Sequence, residues 1–250
     1  MPTFKNGNVE IAYLDEGEGD PIVLVHGFAS NKEVNWVMPG WTSVLRRDGR
    51  RVIALDNRGH GQSTKFYDPA LYHTDLMADD VHALIRHLGL ERVDVMGYSL
   101  GSRISAVLAA RHPDCVRSVI LGGAGIRLID NAGLRDEVAD ALEAPSAEGI
   151  TDAKTKQFRA FGEQTRSDLK ALAACLRGSR QPVRMEDVTS IRASALVAVG
   201  TKDDIAGSPH ELAALMPNGR GLDIPDRDHM VAVGDKVFKA EAIKVLQSRP

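Results

Sequence analysis

Residues 93–103 read V-D-V-M-G-Y-S-L-G-S-R and place one serine between two glycines. An apolar, β-branched run leads into this stretch, and apolar residues at helical spacing follow it. Glycine tolerates backbone angles and close approaches that a Cβ forbids, so Gly97 and Gly101 permit a sharp turn around Ser99. The pattern predicts a strand, a tight turn at Ser99 and a helix, in that order.

Other short apolar runs along the chain are similar to the one that precedes Ser99. Their hydrophobicity is continuous rather than alternating, which suits strands that are covered on both faces. Helical patterns lie between them, for example at 76–88. This βαβα order predicts an α/β fold with a mostly parallel central sheet flanked by helices. The strand-like runs are 22–25, 52–55, 93–96, 119–121 and 195–199, with a further short apolar stretch at 222–224.

The alternation of strands and helices stops between residues 125 and 191. Helical spacing replaces it, as in Leu169, Leu172 and Leu176. A single connection rarely needs so many residues, so we predict a helical cap (lid) at 125–191, inserted into a core formed by 1–124 and 192–250. Ordinary crossover helices are the alternative interpretation.

The composition limits the classes of partner. The chain has 31 Lys and Arg against 34 Asp and Glu, and this balance gives no basic surface for nucleic acid or for a membrane. Cys115 and Cys175 match no metal or redox spacing, which favours two free thiols in a reducing compartment. The first residues lack the apolar segment of a signal peptide, so we expect a cytoplasmic location. Nothing in the sequence indicates the oligomeric state.

Ser99 is the candidate nucleophile. A serine hydroxyl is a poor nucleophile at its ordinary pKa, so it needs an exposed position and a histidine base in contact. His229, which follows a short apolar stretch, is the candidate base. Asp203 and Asp204, just past a predicted strand, are candidates for the acid that orients the histidine. These positions all follow strand ends, where the functional side chains of an open α/β sheet converge.

Acyl transfer also needs N–H donors for the charge that builds on the carbonyl oxygen. The amide of Leu100, at the start of the helix after Ser99, is one candidate. The amide of Phe28, in the glycine turn L-V-H-G-F at 24–28, is the second. His26 and His60 lie in glycine-rich loops, and we interpret them as histidines that brace those loops through hydrogen bonds.

Five short motifs follow one another along the chain: H-G-F at 26–28, D-N-R-G-H-G-Q-S at 56–63, G-Y-S-L-G at 97–101, G-T-K-D at 200–203 and D-H at 228–229. In these motifs and their order the chain resembles the α/β-hydrolase fold family, in particular its lidded, carboxylesterase-like serine hydrolases. The resemblance implies a cap at 125–191 and favours Asp203 over Asp204, because the family spacing G-x-x-D counts from Gly200. It implies a catalytic triad of Ser99, Asp203 and His229, and an oxyanion hole formed by Phe28 and Leu100.

We therefore expect a serine hydrolase that cleaves small carboxylic esters through an acyl-enzyme, with a small-molecule ester as its partner and with no cofactor or metal. Hydrolysis of a C–C bond, lactone opening and perhydrolysis use the same triad and stay open, as does a hydrolase-like signalling receptor.

The cap sequence also suggests the nature of the cavity. Its apolar residues are expected to present an apolar underside to Ser99 that suits acyl chains of about two to six carbons. The arginines at 177, 180 and 184 could meet a carboxylate, but acidic and basic residues nearly balance in the cap, which favours a solvated surface. The apolar residues concerned are Leu134, Val138, Leu142, Phe158, Phe161, Leu169 and Leu172.

Overall fold

A computed structural model describes residues 1–130 and 136–248. Its strands are β1 (Thr3–Asn6), β2 (Val9–Glu16), β3 (Asp20–Val25), β4 (Arg50–Leu55), β5 (Val93–Tyr98), β6 (Val116–Gly122), β7 (Ser194–Gly200) and β8 (Gly219–Ile224). They form one sheet in the order β1-β2-β4-β3-β5-β6-β7-β8. β1 and β2 pair antiparallel, as do β2 and β4, whereas the strands from β4 to β8 run parallel. The predicted α/β fold is confirmed, and only β1 and β2 were not anticipated.

The helices cover both faces of the sheet. They are α1 (Trp41–Arg47), α2 (Thr74–His87), α3 (Leu100–Arg111), α4 (Asp136–Glu143), α5 (Ala153–Gln164), α6 (Leu169–Gly178), α7 (Met185–Ser190), α8 (Pro209–Ala214) and α9 (Lys236–Ser248). None of the helices in the described residues is long and apolar enough to span a bilayer.

The strand β3 shows why its apolar run is continuous. Val23 and Val25 belong to the apolar cluster that also contains the buried faces of α2 and α3. Ile22 and Leu24 belong to the opposite cluster, with residues of α1 and α9. All four side chains are fully buried, so successive residues fill two separate cores.

The described part of the chain between β6 and β7 contains helices and no strand. The helix α4 packs against α5 and α6, whereas α7 packs against α3. Leu134, which the sequence analysis assigned to the cap interior, lies outside the described residues.

A buried ion pair links β4, β5 and β6 near their N-terminal ends, whereas Ser99 follows the C-terminal end of β5. Arg50 Nη1 lies 3.0 Å from Asp94 Oδ2, and Ser118 Oγ donates to Asp94 Oδ1 at 2.8 Å. Arg50 also binds Asp48 at 2.8 Å. Arg50 and Asp94 are both almost completely buried, so removing one partner leaves a charge that water cannot solvate.

We predict that Asp94→Ala lowers the free energy of unfolding by about 3 kcal/mol, because the buried guanidinium of Arg50 then keeps its ion pair with Asp48 but loses the one with Asp94. The matched control is Asp15→Ala, which breaks the half-exposed pair between Asp15 and Arg51 and should cost about 1 kcal/mol or less. Urea denaturation of both variants is the measurement, and equal losses would contradict the burial argument.

Candidate active site

Ser99 occupies a strained turn between β5 and α3. Its φ is 53° and its ψ is −114°, a left-handed conformation that is rare for residues with a Cβ. A Cβ on Gly97 would lie 2.2 Å from the carbonyl oxygen of Gly101, and one on Gly101 would lie 1.9 Å from that of Val25. The G-x-S-x-G pattern is therefore a steric requirement, since the backbones touch where the two glycines stand.

Two hydrogen bonds join the three residues of the predicted triad. His229 Nε2 lies 2.9 Å from Ser99 Oγ, and His229 Nδ1 lies 2.7 Å from Asp203 Oδ2. Asp203 follows the end of β7, and His229 follows the end of β8. When Nδ1–H donates to the carboxylate, Nε2 is left to accept the proton of the Ser99 hydroxyl.

The carboxylate of Asp203 is held on both of its oxygens. While Oδ2 contacts His229, Oδ1 accepts the amides of Ile205 at 2.8 Å and Ala206 at 3.0 Å. Burial by itself would raise the pKa of Asp203, but its hydrogen bonds and the charge of His229 outweigh burial, and the pKa is lowered. The group is therefore an anion at neutral pH, as an orienting acid must be.

Asp204 points away from the triad. Its carboxylate forms an ion pair with Lys154 at 2.8 Å, and its side chain is 74% exposed. Adjacent loop residues thus face opposite environments, and the structure brings Asp203, not Asp204, to His229.

Tyr98 connects the nucleophile turn to the loop of the histidine. Its hydroxyl donates to the carbonyl of His229 at 2.6 Å, and its ring lies beside the imidazole. Burial, together with the charges of Asp203 and Asp228, raises the pKa of Tyr98 well above its ordinary value, so the phenol stays a donor. The residue before Ser99 therefore fixes the position of His229, a role that no pattern in the sequence reveals.

Phe28 and Leu100 lie with Ser99 on the wall of one cavity. Leu100 is the first residue of α3, and the first four N–H groups of a helix have no acceptor within the helix. Its amide thus has no acceptor within the helix and lies beside Ser99, where the positive end of the helix dipole favours negative charge.

The loop that carries Phe28 is held on both sides of that residue. The amide of Gly27 donates to Asn35 Oδ1 at 3.0 Å, and the amide of Ala29 donates to His60 Nε2 at 3.2 Å. Both neighbours of Phe28 are anchored by buried side chains. The sequence analysis missed Asn35, since an isolated asparagine eight residues after the glycine turn has no distinctive spacing.

His26 and His60 are fully buried and neutral. His60 Nδ1 donates to the carbonyl of Arg58 at 3.0 Å, and burial with the neighbouring His26 lowers the pKa of His60 to about 3. His26 Nδ1 donates to the carbonyl of Gly27 at 2.7 Å, its Nε2 accepts the amide of Asn57 at 2.9 Å, and burial lowers its pKa. The interpretation of both as loop-bracing histidines is confirmed.

An ion pair lies beneath these loops. Asp56, at the end of β4, accepts the ammonium of Lys32 at 2.6 Å and the amides of Lys32 and Gln62, each at 2.9 Å. Burial opposes ionisation, yet His26 and these donors lower the pKa of Asp56. A Cβ on Gly61 would lie 2.2 Å from the carboxyl carbon of Asp56, which explains a second glycine of the D-N-R-G-H-G-Q-S motif.

The cavity beside Ser99 has a volume of about 1200 Å³, and its walls do not match the predicted apolar underside. Leu142, Phe158 and Leu172 are buried in the apolar core, and Phe161 and Leu169 pack against it. These side chains pack against one another and against the main core. Of the described residues that were predicted to form the apolar underside, only Val138 lines the cavity. The prediction of an apolar underside built from that set is wrong.

The cavity wall combines apolar residues with charged ones, and the charged ones are Arg103, Arg127, Asp152, Lys154, Arg180 and Asp204. Of the three arginines of 125–191 considered from sequence, Arg177 and Arg184 form ion pairs with acids of the same segment. Arg180 lines the cavity but is paired with Asp136 at 2.6 Å. Arg103, which the sequence analysis missed, lies three residues after Leu100, a helical spacing that places both on one face of α3.

Within residues 1–130 and 136–248, no three His, Cys, Asp or Glu side chains are grouped as metal ligands. Cys115 and Cys175 are buried free thiols, as the sequence predicts. Burial raises the pKa of Cys175 to about 12, so this thiol is not a nucleophile at neutral pH.

The sheet order, the strained serine turn and the hydrogen-bonded Ser–His–Asp chain define the class of protein as an α/β hydrolase. A family profile described as "alpha/beta hydrolase fold" matches residues 20–141. The chain belongs to the α/β-hydrolase fold family.

Three known proteins illustrate the likeness. A 2-(acetamidomethylene)succinate hydrolase of Mesorhizobium japonicum is 33% identical over 190 residues, which are 76% of this chain and 59% of that protein. The chain thus spans less than two thirds of this relative's length. An enol-lactonase from Burkholderia xenovorans superimposes with a TM-score of 0.81 at 22% identity, covering 99% of this chain and 100% of the other. A thermophilic esterase from Thermogutta terrifontis gives a TM-score of 0.72 at 23% identity, with 97% and 95% covered.

We predict that His60→Gln makes stability less dependent on pH. The folded-state pKa of His60 is about 3 against an ordinary 6.5, so its contribution is complete above pH 6.5 and is lost as pH falls toward 3. Between pH 7 and pH 5 this histidine should cost the wild type about 2 kcal/mol, a loss that the glutamine variant lacks.

Urea denaturation at the two pH values is the measurement. His210→Gln, at an exposed histidine paired with Asp223, is the matched control and should keep the wild-type dependence. A glutamine variant at position 60 with an unchanged pH dependence would show that His60 is not neutral in the fold.

Proposed function

We propose that this protein is a serine hydrolase that cleaves small carboxylic esters through an acyl-enzyme. The observation that carries the proposal is the hydrogen-bonded chain from Ser99 through His229 to the ionised Asp203. A base in contact with a serine, oriented by a carboxylate, is the arrangement that activates a hydroxyl for acyl transfer.

In the first half of the reaction, Ser99 Oγ attacks the ester carbonyl while its proton passes to His229 Nε2. The amides of Phe28 and Leu100 donate to the carbonyl oxygen as it becomes negative. His229 then gives the proton to the departing alkoxide, and the alcohol leaves. The product of this half is an ester between the acyl group and Ser99.

In the second half, a water molecule attacks the acyl-enzyme. His229 accepts a proton from the water and returns it to Ser99 Oγ as the acid leaves. Asp203 stabilises the imidazolium in both halves without accepting the proton, which its lowered pKa supports.

The segment 125–191 is proposed to act as a cap over this site. Val138 of α4, Thr155 and Gln157 of α5 and Leu176 of α6 line the cavity that also contains Ser99. Hydrogen bonds join the segment to the core, from Thr165 Oγ1 to the carbonyl of Ala29 at 2.9 Å and from Tyr67 to Asp168 at 2.8 Å. The helix α7 packs on α3 and has no part in covering the cavity.

We predict that Ser99→Ala lowers kcat for ester hydrolysis on the order of a thousandfold or more, because the change removes the attacking hydroxyl. The fold should persist, because no core volume is lost. The measurement is turnover of p-nitrophenyl esters, followed by mass spectrometry of wild type treated with an organophosphonate. An adduct on a residue other than Ser99 would overturn the assignment.

The substrate screen includes lactones, β-diketones and peracid formation, because these reactions use the same triad. Turnover of one of these and of no simple ester would replace the ester proposal. No turnover at all, combined with tight ligand binding, would favour a receptor.

We predict that Asp203→Asn lowers kcat/KM by orders of magnitude, because the amide cannot stabilise the imidazolium and favours the wrong tautomer. Asp204→Asn is the matched control, and it should change kcat/KM less than a few-fold, since the carboxylate of Asp204 pairs with Lys154 and that of Asp203 with His229. Steady-state kinetics on one ester decides between them, and the reverse order would make Asp204 the orienting acid.

A further inference from the structure

Arg103 lies one helical turn beyond the nucleophile. Its amide donates to the carbonyl of Ser99 at 3.2 Å, and its side chain lines the same cavity as Ser99 and Leu100. Since four residues of helix rise about 6 Å, its guanidinium can reach a group only a few carbons from the attacked carbonyl.

The guanidinium of Arg103 binds two backbone carbonyls rather than a carboxylate. Its Nη1 donates to the carbonyls of Gln181 at 2.5 Å and Leu128 at 3.4 Å. Among residues 1–130 and 136–248, no carboxylate forms an ion pair with it. Burial lowers the pKa of Arg103, and the more distant charge of Asp130 opposes this only in part. A partly desolvated cation of this kind is stabilised when an anion binds beside it.

Two acids, Asp152 and Asp204, also lie on the cavity wall. Asp152 Oδ2 accepts the amide of Thr155 at 2.7 Å and so caps the start of α5. Lys154 and Asp204 neutralise each other at 2.8 Å, and Arg180 is paired with Asp136. Arg127 donates to the backbone carbonyl of Asp204, and its guanidinium adds a further cation to the cavity wall. Among the described side chains on the wall, four are basic and two are acidic, so positive charge is in excess beside Ser99.

We infer that Arg103 binds a carboxylate on the substrate, so that the preferred esters are those that carry a second, ionised acid group. The inference rests on the proposed ester hydrolysis at Ser99. Arg103 is a specificity-determining residue in this scheme, since the guanidinium presents several N–H donors in a plane that fits a carboxylate. The competing role is purely structural, because its bonds to Leu128 and Gln181 also tie two points of the segment 125–191 to α3.

Matched substrate pairs test the inference. In the first arm, p-nitrophenyl hydrogen glutarate is compared with the p-nitrophenyl ester of glutaramic acid, which replaces the carboxylate by an uncharged amide of the same shape. In the second arm, the butyrate esters of 4-hydroxybenzoate and 4-hydroxybenzamide place the charge on the leaving group. After correction for spontaneous hydrolysis, wild type should prefer the carboxylate by roughly tenfold or more in kcat/KM in at least one arm.

Variants separate charge from structure. Arg103→Gln keeps an N–H donor for the carbonyl of Gln181 but loses the charge, and it should abolish the preference for the carboxylate, mainly through KM. Arg103→Lys should retain part of it. The control Arg177→Gln removes an exposed cap arginine that pairs with Asp140 and Glu143 and should leave the preference intact. A glutamine variant that loses thermal stability but keeps the preference would overturn the inference and leave Arg103 a structural residue.

A binding measurement keeps this inference distinct from the proposed function. Calorimetry should detect glutarate binding to wild type, and Arg103→Gln should weaken it roughly tenfold or more. If no ester is turned over but glutarate binding depends on Arg103, the ester proposal fails and the carboxylate site stands. If esters are hydrolysed without preference for charge in both arms, and glutarate does not bind, only the inference is wrong.

Discussion

The backbone of α3 can lie against β3 and β5 only because positions 97 and 101 carry no Cβ. This contact forces the chain to reverse at Ser99, with φ at 53°, and directs the hydroxyl out of the sheet. The same turn exposes the first amide of α3 beside that hydroxyl. One steric constraint thus places the hydroxyl of Ser99 beside the amide of Leu100, which are the proposed nucleophile and one of its proposed oxyanion donors.

A second set of buried polar groups holds the loops that carry His229 and Phe28. Tyr98 fixes the loop of His229, and Asn35 and His60 fix the peptides on either side of Phe28. The buried ion pair between Lys32 and Asp56 lies beneath these loops. Such groups are costly to bury unless each is satisfied, and here most of their atoms have partners. The resulting rigidity suits a site whose donors must point at a charge that exists only in the transition state.

The sequence predicts well what depends on local rules. Continuous apolar runs identified the parallel strands, and the glycine spacing around Ser99 identified the turn. The edge strand β1 and its neighbour β2 were not predicted, because four to eight residues with mixed exposure carry little periodicity. Helical periodicity also showed which faces of the helices in 125–191 are apolar, but not which neighbour covers them, and so it misplaced Leu142 and Leu172. Whether an acid contacts Arg103 depends on segments that are distant along the chain, and spacing in the sequence cannot show this.

The hydrogen bond from Thr165 to the carbonyl of Ala29 has a mechanical consequence. Ala29 follows Phe28, its amide is held by His60, and its φ of 57° leaves the peptide little freedom to adjust. Thr165 directly follows α5, whose residues line the cavity. Displacing α5 to admit a bulkier molecule would therefore pull on the peptide of Ala29, next to the amide that the proposed mechanism assigns to the carbonyl oxygen. In that mechanism the size of the bound molecule would change the rate of acyl transfer as well as the affinity.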